Sequence, residues 1–395
     1  MSGALRLPWW PREDRAGLPV LTPDELVALR TATRQLISPL PERVAAGAEA
    51  IGSLLAGDTD ADAAAERLLD YWLYEGVATL AIERAREAGI HVDDWDDVQD
   101  DIAEQADQAR MVQEAVALQA TRMLERAGIP SVVLKGPLMA AEFYGDAALR
   151  SPSSDVDLLV AREHLWRAAD VMRGAGWAPP EDAIVHGSLP ALHLSLEGPG
   201  DTPAIELHWR VQYYDEDAHT RGILERRRID GAVAVPSQQD VLDVLLICWG
   251  RDGLHRARLL ADIGAAIAGG ASLEASHLRE VAALRATHAS LAPAARALLG
   301  LPAAGGGLPA RVIRRVGERD RPATTRGAFA QAAVVDLLAA PRGERRARFN
   351  EVWLRHPAAI ARWHPELGSW RIAAARVASL ARTSARAAGL LARRR

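Results

Sequence analysis

The stretch SSDVDLLV, residues 153–160, sets two carboxylates two positions apart in a short apolar run. In a β-strand successive side chains alternate faces, so Asp155 and Asp157 point one way while Val156 and Leu158 point into a core. Carboxylates a few ångströms apart repel, and a divalent cation relieves that repulsion most simply. A D-x-D also occurs as a capping pair or a solvated strand edge, so its meaning depends on what lies beside it. AIELHWRV, residues 204–211, offers a partner. Ile205, Leu207 and Trp209 form an apolar face, and Glu206, His208 and Arg210 project from the other. A strand of this kind paired beside DVDLLV brings Glu206 next to the two aspartates; alone it reads equally as an amphipathic strand with a polar face. Three carboxylates on two strands can hold two Mg²⁺, the arrangement that in-line phosphoryl or nucleotidyl transfer uses to neutralise a triphosphate and activate a hydroxyl.

A third stretch, VVLKGP at residues 132–137, holds the only lysine of the chain, Lys135, beside 46 arginines. It reads as a strand passing into a helix that opens at Pro137. Free N–H groups at a helix start favour an anion, and Gly136 allows a phosphate to approach the backbone. Lys135 adds a compact, strongly hydrated charge that arginine does not copy, unless it is a plain surface residue. Arg150, before a Ser/Pro loop, is a candidate phosphate clamp or a surface charge. His208 shares the face of Glu206 and is a candidate to orient substrate, to accept a proton, or to hydrogen-bond from behind the site.

The elements that must position these residues follow from periodicity. Residues 1–125 read as an N-terminal helical region. One helix opens at Thr22, Pro23 and Glu25, a second runs from about Asp60 to Gly89, and a third runs through DIAEQADQARMVQEAVALQATRMLERAG to Gly128. Residues 126–235 form an αβ core with SVV, DVDLLV, ALHLSLE and AIELHWRV as strands. Residues 236–300 return to helix through VLDVLLICWG and RARLLADIGAAIA, LPAAGGGLPA at 301–310 is a linker, and 311–395 is a basic C-terminal helical region. The expected class is α+β, a small mixed sheet flanked by helical regions.

LKGPLMAAEFYGDAALRSPSSDVDLLV followed some fifty residues later by IELHW resembles an uncharacterised bacterial nucleotidyltransferase family of the polymerase-β-like superfamily. The matching positions are Leu134, Lys135 and Gly136, then Tyr144, Arg150, the Asp155 and Asp157 pair, and Glu206 to Trp209, in order and spacing across residues 130–210. The resemblance implies that Asp155 and Asp157 bind Mg²⁺, that Glu206 is the third carboxylate, and that the Lys-Gly turn lies near the nucleotide phosphates. The wider superfamily carries Gly-Ser at that turn. Here no serine follows Gly136, which leaves Lys135, or Ser154 ahead of the DVD, as the substitute. Asp262, in LLADIG, falls where the family often has an acid on a following helix. The expected activity is Mg²⁺-dependent transfer of a nucleoside monophosphate from an NTP to a hydroxyl of an unidentified acceptor, whether small molecule, saccharide or protein. The alternative is a catalytically silent interaction protein on the same fold.

Composition limits the rest. The single cysteine, Cys248, excludes an internal disulfide framework and a Cys-rich zinc site. The N-terminus lacks a signal-peptide run, and no segment approaches about 18 uninterrupted apolar residues, so the expectation is a soluble cytoplasmic protein. GDTDADAAAE begins like a calcium loop but has Ala63 and Leu69 where glycine and glutamate are needed, so its acids cap a helix instead. Residues 301–395 carry 19 arginines against 6 acidic residues, a surplus of +13 that leaves −18 on the first 300. The tail helix puts Arg371, Arg382, Arg386 and Arg393 on one side, and Trp370, Val377, Leu380 and Leu391 on the other. It could meet nucleic acid or a membrane surface, but docking on the acidic body of the chain is the favoured reading.

Overall fold

The structure is a computed structural model that describes residues 23–57, 60–151, 153, 155–179, 193–200, 202–211, 217–230, 233–251, 257–272, 293–301 and scattered positions beyond 336. Thr22, Ser154, the 302–310 part of the linker, and Leu380, Arg382, Arg386, Leu391 and Arg393 of the tail lie outside the described residues. Its architecture is α+β: a four-stranded mixed sheet packed between helices.

Proline at the first position and two acids in the first turn open α1, Pro23–Leu36. Helix α2, Pro41–Gly57, folds back against it and crosses at Gly47, where a β-carbon would stand 2.3 Å from the Leu36 amide nitrogen. Gly47→Ala is therefore expected to destabilise the protein by about 1–3 kcal/mol, the usual cost of overpacking, seen as a lowered denaturation midpoint. An unchanged midpoint would mean that α2 can move off α1 at no cost. Helix α3, Ala61–Glu75, is capped by Asp60, whose side chain accepts from the Ala63 N–H at 3.1 Å.

The single helix expected from Asp60 to Gly89 is two. Gly76 adopts φ +70, its N–H bonds the Leu73 carbonyl at 3.2 Å, and the chain restarts as α4, Ala78–Glu87. Apolar spacing continues across the break, so periodicity alone does not reveal it. Helix α5, Asp93–Arg126, is 34 residues long and starts within the acidic run HVDDWDDVQDD. Three aspartates in its first turn favour that start electrostatically.

Strands β1, Ser131–Val133, β2, Asp155–Val160, β3, His193–Leu196, and β4, Ala204–His208, form a sheet of order β1-β2-β4-β3. The β2–β4 pairing is parallel, and the two outer pairings are antiparallel. Helix α6, Pro137–Tyr144, lies between β1 and β2, and α7, Leu165–Gly174, follows β2. One face of the sheet presents Val156, Leu158, Val160, Ile205 and Leu207 to a core closed by Val116, Ala120 and Leu124 of α5 and Leu165, Ala169 and Met172 of α7. Val132, Leu134 and Leu159 join a second core on the opposite side. That core also gathers α1–α4 with α9, Gln238–Arg251, and α10, Ala257–Ala268. Cys248 is buried within it. Its aromatic centre is Trp72 packed edge-on to Trp95 at 4.8 Å, with the Trp72 indole donating to Thr33 Oγ1 at 3.0 Å.

Helix α2, helix α8 at Asp217–Glu225, and a hairpin of β5, Arg228–Asp230, with β6, Val233–Val235, are elements that periodicity did not single out. Among the described residues no helix is long and apolar enough to cross a membrane. In the tail, Trp370 is 71% and Val377 64% exposed, so these two apolar side chains do not dock on the body of the chain as expected. Arg371 lies over the Trp370 ring instead, 5.2 Å from its centroid.

Candidate functional site

Parallel pairing of β2 with β4 sets Asp157 directly beside Glu206 and Asp155 beside Ala204. Alternation then turns Asp155, Asp157 and Glu206 to the same face, away from the α5/α7 core. One carboxylate oxygen from each lies within 4.8 Å of the others. Burial, and after it the charge of Asp157, push the Asp155 carboxyl above its ordinary range, against the pull of Lys135. At Asp155 the neighbouring carboxylate charge thus adds to the effect of burial.

Lys135 answers part of that crowding. The Leu134 N–H bonds the Asp157 carbonyl at 3.0 Å, which extends the β1–β2 pairing by one residue. The next side chain carries its ammonium to within 2.5 Å of Asp157 Oδ2. Burial opposes the lysine's charge, but Asp157 and Asp155 outweigh it and hold the ammonium well above its ordinary range. Asp157, only 2% exposed, is correspondingly held well below the usual carboxylate range by Lys135 and His208, against its burial. The expected phosphate-side lysine thus contacts a carboxylate of the triad in this structure. Gly136 then turns the chain into α6 at φ +116, a region that residues with a β-carbon rarely adopt.

His208 Nε2 lies 2.9 Å from Asp157 Oδ1 and 3.2 Å from Glu206 Oε2. Its burial works against a positive charge, yet these two carboxylates raise its pKa above the ordinary histidine range. Glu206 is pushed up by burial and pulled down more strongly by the His208 hydrogen bond and the charge of His193, so it stays below its ordinary range. His193, on β3, places Nε2 3.4 Å from Glu206 Oε1. Arg210 does not extend this polar face: β4 ends at His208, and the Arg210 guanidinium stacks over the Trp209 ring at 4.2 Å.

Arg150 and Asp262 meet each other. The Arg150 guanidinium donates from Nε to Asp262 Oδ1 at 3.0 Å and from Nη2 to Oδ2 at 3.2 Å, and both side chains are buried. The Tyr144 hydroxyl donates to Asp262 Oδ1 at 2.8 Å. These three residues, with Lys135, Gly136 and Leu245, line a recess beside the carboxylates. Arg150 is therefore committed to a fork-shaped ion pair rather than presented to solvent. Ser153 is described where Ser154 is not, and its carbonyl accepts from the Gln113 side chain.

Among the described residues, two of the site were not singled out from the sequence. His193 could have been found from ALHLSLE, where it and Ser195 alternate with Leu194 and Leu196. Arg258, one helical turn before Asp262 on α10, lowers the Asp155 pKa through its charge. No motif announces it.

All-oxygen donors with one repelled carboxylate suit a hard divalent cation such as Mg²⁺. Asp155, Asp157 and Glu206 would hold it, with the Lys135 ammonium beside Asp157. A family model described as an uncharacterised nucleotidyltransferase matches residues 61–298, which contain every one of these side chains. No curated protein and no solved structure matches the chain.

Proposed function

Because the chain belongs to this family of uncharacterised nucleotidyltransferases, we propose that it moves a nucleoside monophosphate from an NTP to an acceptor hydroxyl, using Mg²⁺ at Asp155, Asp157 and Glu206. The observation that carries the reading is the in-register placement of the three carboxylates on β2 and β4, with a lysine closing one of them. Bound Mg²⁺ supplies charge neutralisation of the triphosphate and acidifies the attacking hydroxyl.

The protein's own groups have distinct tasks. Asp155 is the carboxylate most in need of a counter-charge, and Glu206 remains ionised and can accept a hydrogen bond from the acceptor hydroxyl. His208 fixes the orientation of both Asp157 and Glu206 through one nitrogen. Lys135 spends one N–H on Asp157 and has two further donors for triphosphate oxygens. The Arg150–Asp262–Tyr144 network shapes the adjoining recess rather than touching phosphate. A reaction that consumes NTP belongs where NTP is abundant, in the cytoplasm. The acceptor is a hydroxyl of a small molecule, a saccharide or a protein.

Titration calorimetry of parent and Lys135→Ala with Mg²⁺ and each NTP tests this reading. The parent should bind, and the variant should bind about 10- to 100-fold more weakly, the size of a lost charge-assisted hydrogen bond. Lys135→Ala also strips buried Asp157 of one of its two cationic partners, leaving His208, so Mg²⁺ should raise its melting temperature more than it raises that of the parent. Equal affinities would remove Lys135 from the triphosphate site, and no NTP binding by the folded parent would overturn the proposal.

A further inference from the structure

Beside the oxygen-only triad the sheet builds a second donor set of different chemistry. Strands β3 and β4 pair antiparallel with His193 opposite His208 and Ser195 opposite Glu206. The two imidazoles therefore lie on the same face, with ring centroids 4.8 Å apart. Both turn Nε2 toward the Glu206 carboxylate, His193 at 3.4 Å from Oε1 and His208 at 3.2 Å from Oε2. One donor atom from each of the three lies within 4.8 Å of the others.

We propose that His193, Glu206 and His208 form a site for a borderline divalent transition-metal cation, of the Zn²⁺ or Co²⁺ type, adjoining the triad and sharing Glu206 with it. Ligands about 2.0–2.1 Å from a common tetrahedral centre stand about 3.3 Å from one another; each imidazole nitrogen stands near that spacing from the Glu206 oxygen it faces, Oε1 for His193 and Oε2 for His208. Two histidines and one glutamate leave a fourth position open, as in zinc sites that handle water or substrate. Imidazole favours Zn²⁺ and Co²⁺ over Mg²⁺, whereas the neighbouring carboxylates favour the reverse. Access is one-sided. The His208 side chain is 3% exposed and anchors the set from within, while His193 at 31% and Glu206 at 23% open it to solvent. Asp157 Oδ1, 2.9 Å from His208 Nε2, stands at the boundary between the two sets, and a cation taken up at that nitrogen would replace its hydrogen bonds to Asp157 and Glu206, the imidazole proton being released to solvent. The inference concerns metal binding only and stands whether or not nucleotides are transferred.

The test is Co²⁺ titration of the full chain in excess Mg²⁺, followed by visible absorption. The parent should develop the intense bands of four-coordinate Co²⁺, and Asp155→Asn should keep them. His193→Gln should lose them together with at least about 100-fold in Co²⁺ affinity, beyond the loss expected when only an outer-shell partner is removed. Circular dichroism of the variant confirms its fold. X-ray absorption at the cobalt edge of the parent, which needs no variant, should show imidazole scattering. The proposal is overturned if that scattering is absent, or if His193→Gln binds Co²⁺ with the parent's spectrum and affinity.

Discussion

Asp157→Ala is expected to abolish nucleotidyl transfer and to weaken the fold as well. Its two carboxylate oxygens are divided between Lys135 Nζ at 2.5 Å and His208 Nε2 at 2.9 Å, in a setting that leaves it 2% exposed. Losing one carboxylate from a metal site removes several kcal/mol of transition-state stabilisation, and about 4 kcal/mol corresponds to a rate loss of about 10³-fold. The structural cost is separate. Removing one partner of a buried ion pair leaves the other charge uncompensated, at about 3–5 kcal/mol. Rates should be compared at a temperature where circular dichroism shows the variant folded. Asp155→Asn is the companion: it lies at the partly exposed edge of the cluster, so it should lose activity with a smaller loss of stability. Parent-like transfer by folded Asp157→Ala would exclude Asp157 from the chemistry.

The second large effect lies beside the triad rather than in it. Asp262→Ala should destabilise the protein by about 3–5 kcal/mol, because it strands the Arg150 guanidinium and the Tyr144 hydroxyl in a buried recess. In thermal melts that is a fall on the order of 10 °C. The double substitution Arg150→Met with Asp262→Leu removes both charges, so it should recover most of the stability. If NTP affinity also survives in the double variant, Arg150 acts by shaping the recess. A collapse of affinity with stability intact would restore it as a phosphate ligand. A single Asp262→Ala variant that melts with the parent would contradict the structural role.

DVDLLV and AIELHWRV alternate so regularly that their inner faces, Val156, Leu158, Ile205 and Leu207, were legible as core and their acids as one polar face. The Lys-Gly turn was legible because Gly136 precedes a proline that starts a helix. What Lys135 touches was not, since its contact with Asp157 depends on how far the β1–β2 pairing extends. His193 was hidden for a similar reason. Alternation gives its face, but only the β3–β4 register sets it opposite His208. Arg150 and Asp262 stand 112 positions apart, and no local pattern foretells that they neutralise each other. The break at Gly76 was invisible to periodicity because apolar residues recur in helical phase on both sides of it. The helix α2 crossing depends on a missing side chain, at Gly47, which carries no periodic signal.

The central claim is that the chain transfers the nucleotidyl group of an NTP rather than its terminal phosphoryl group. Incubating the full chain with Mg²⁺, a cell lysate and NTP labelled in parallel at the α- or the γ-phosphate tests it most directly. The account predicts α-label retained on an acceptor and γ-label released in pyrophosphate, with both outcomes lost on removing Mg²⁺ or substituting Asp155 and Asp157. Retention of γ-label on the acceptor, or α-labelling that persists without Asp155 and Asp157, would contradict it.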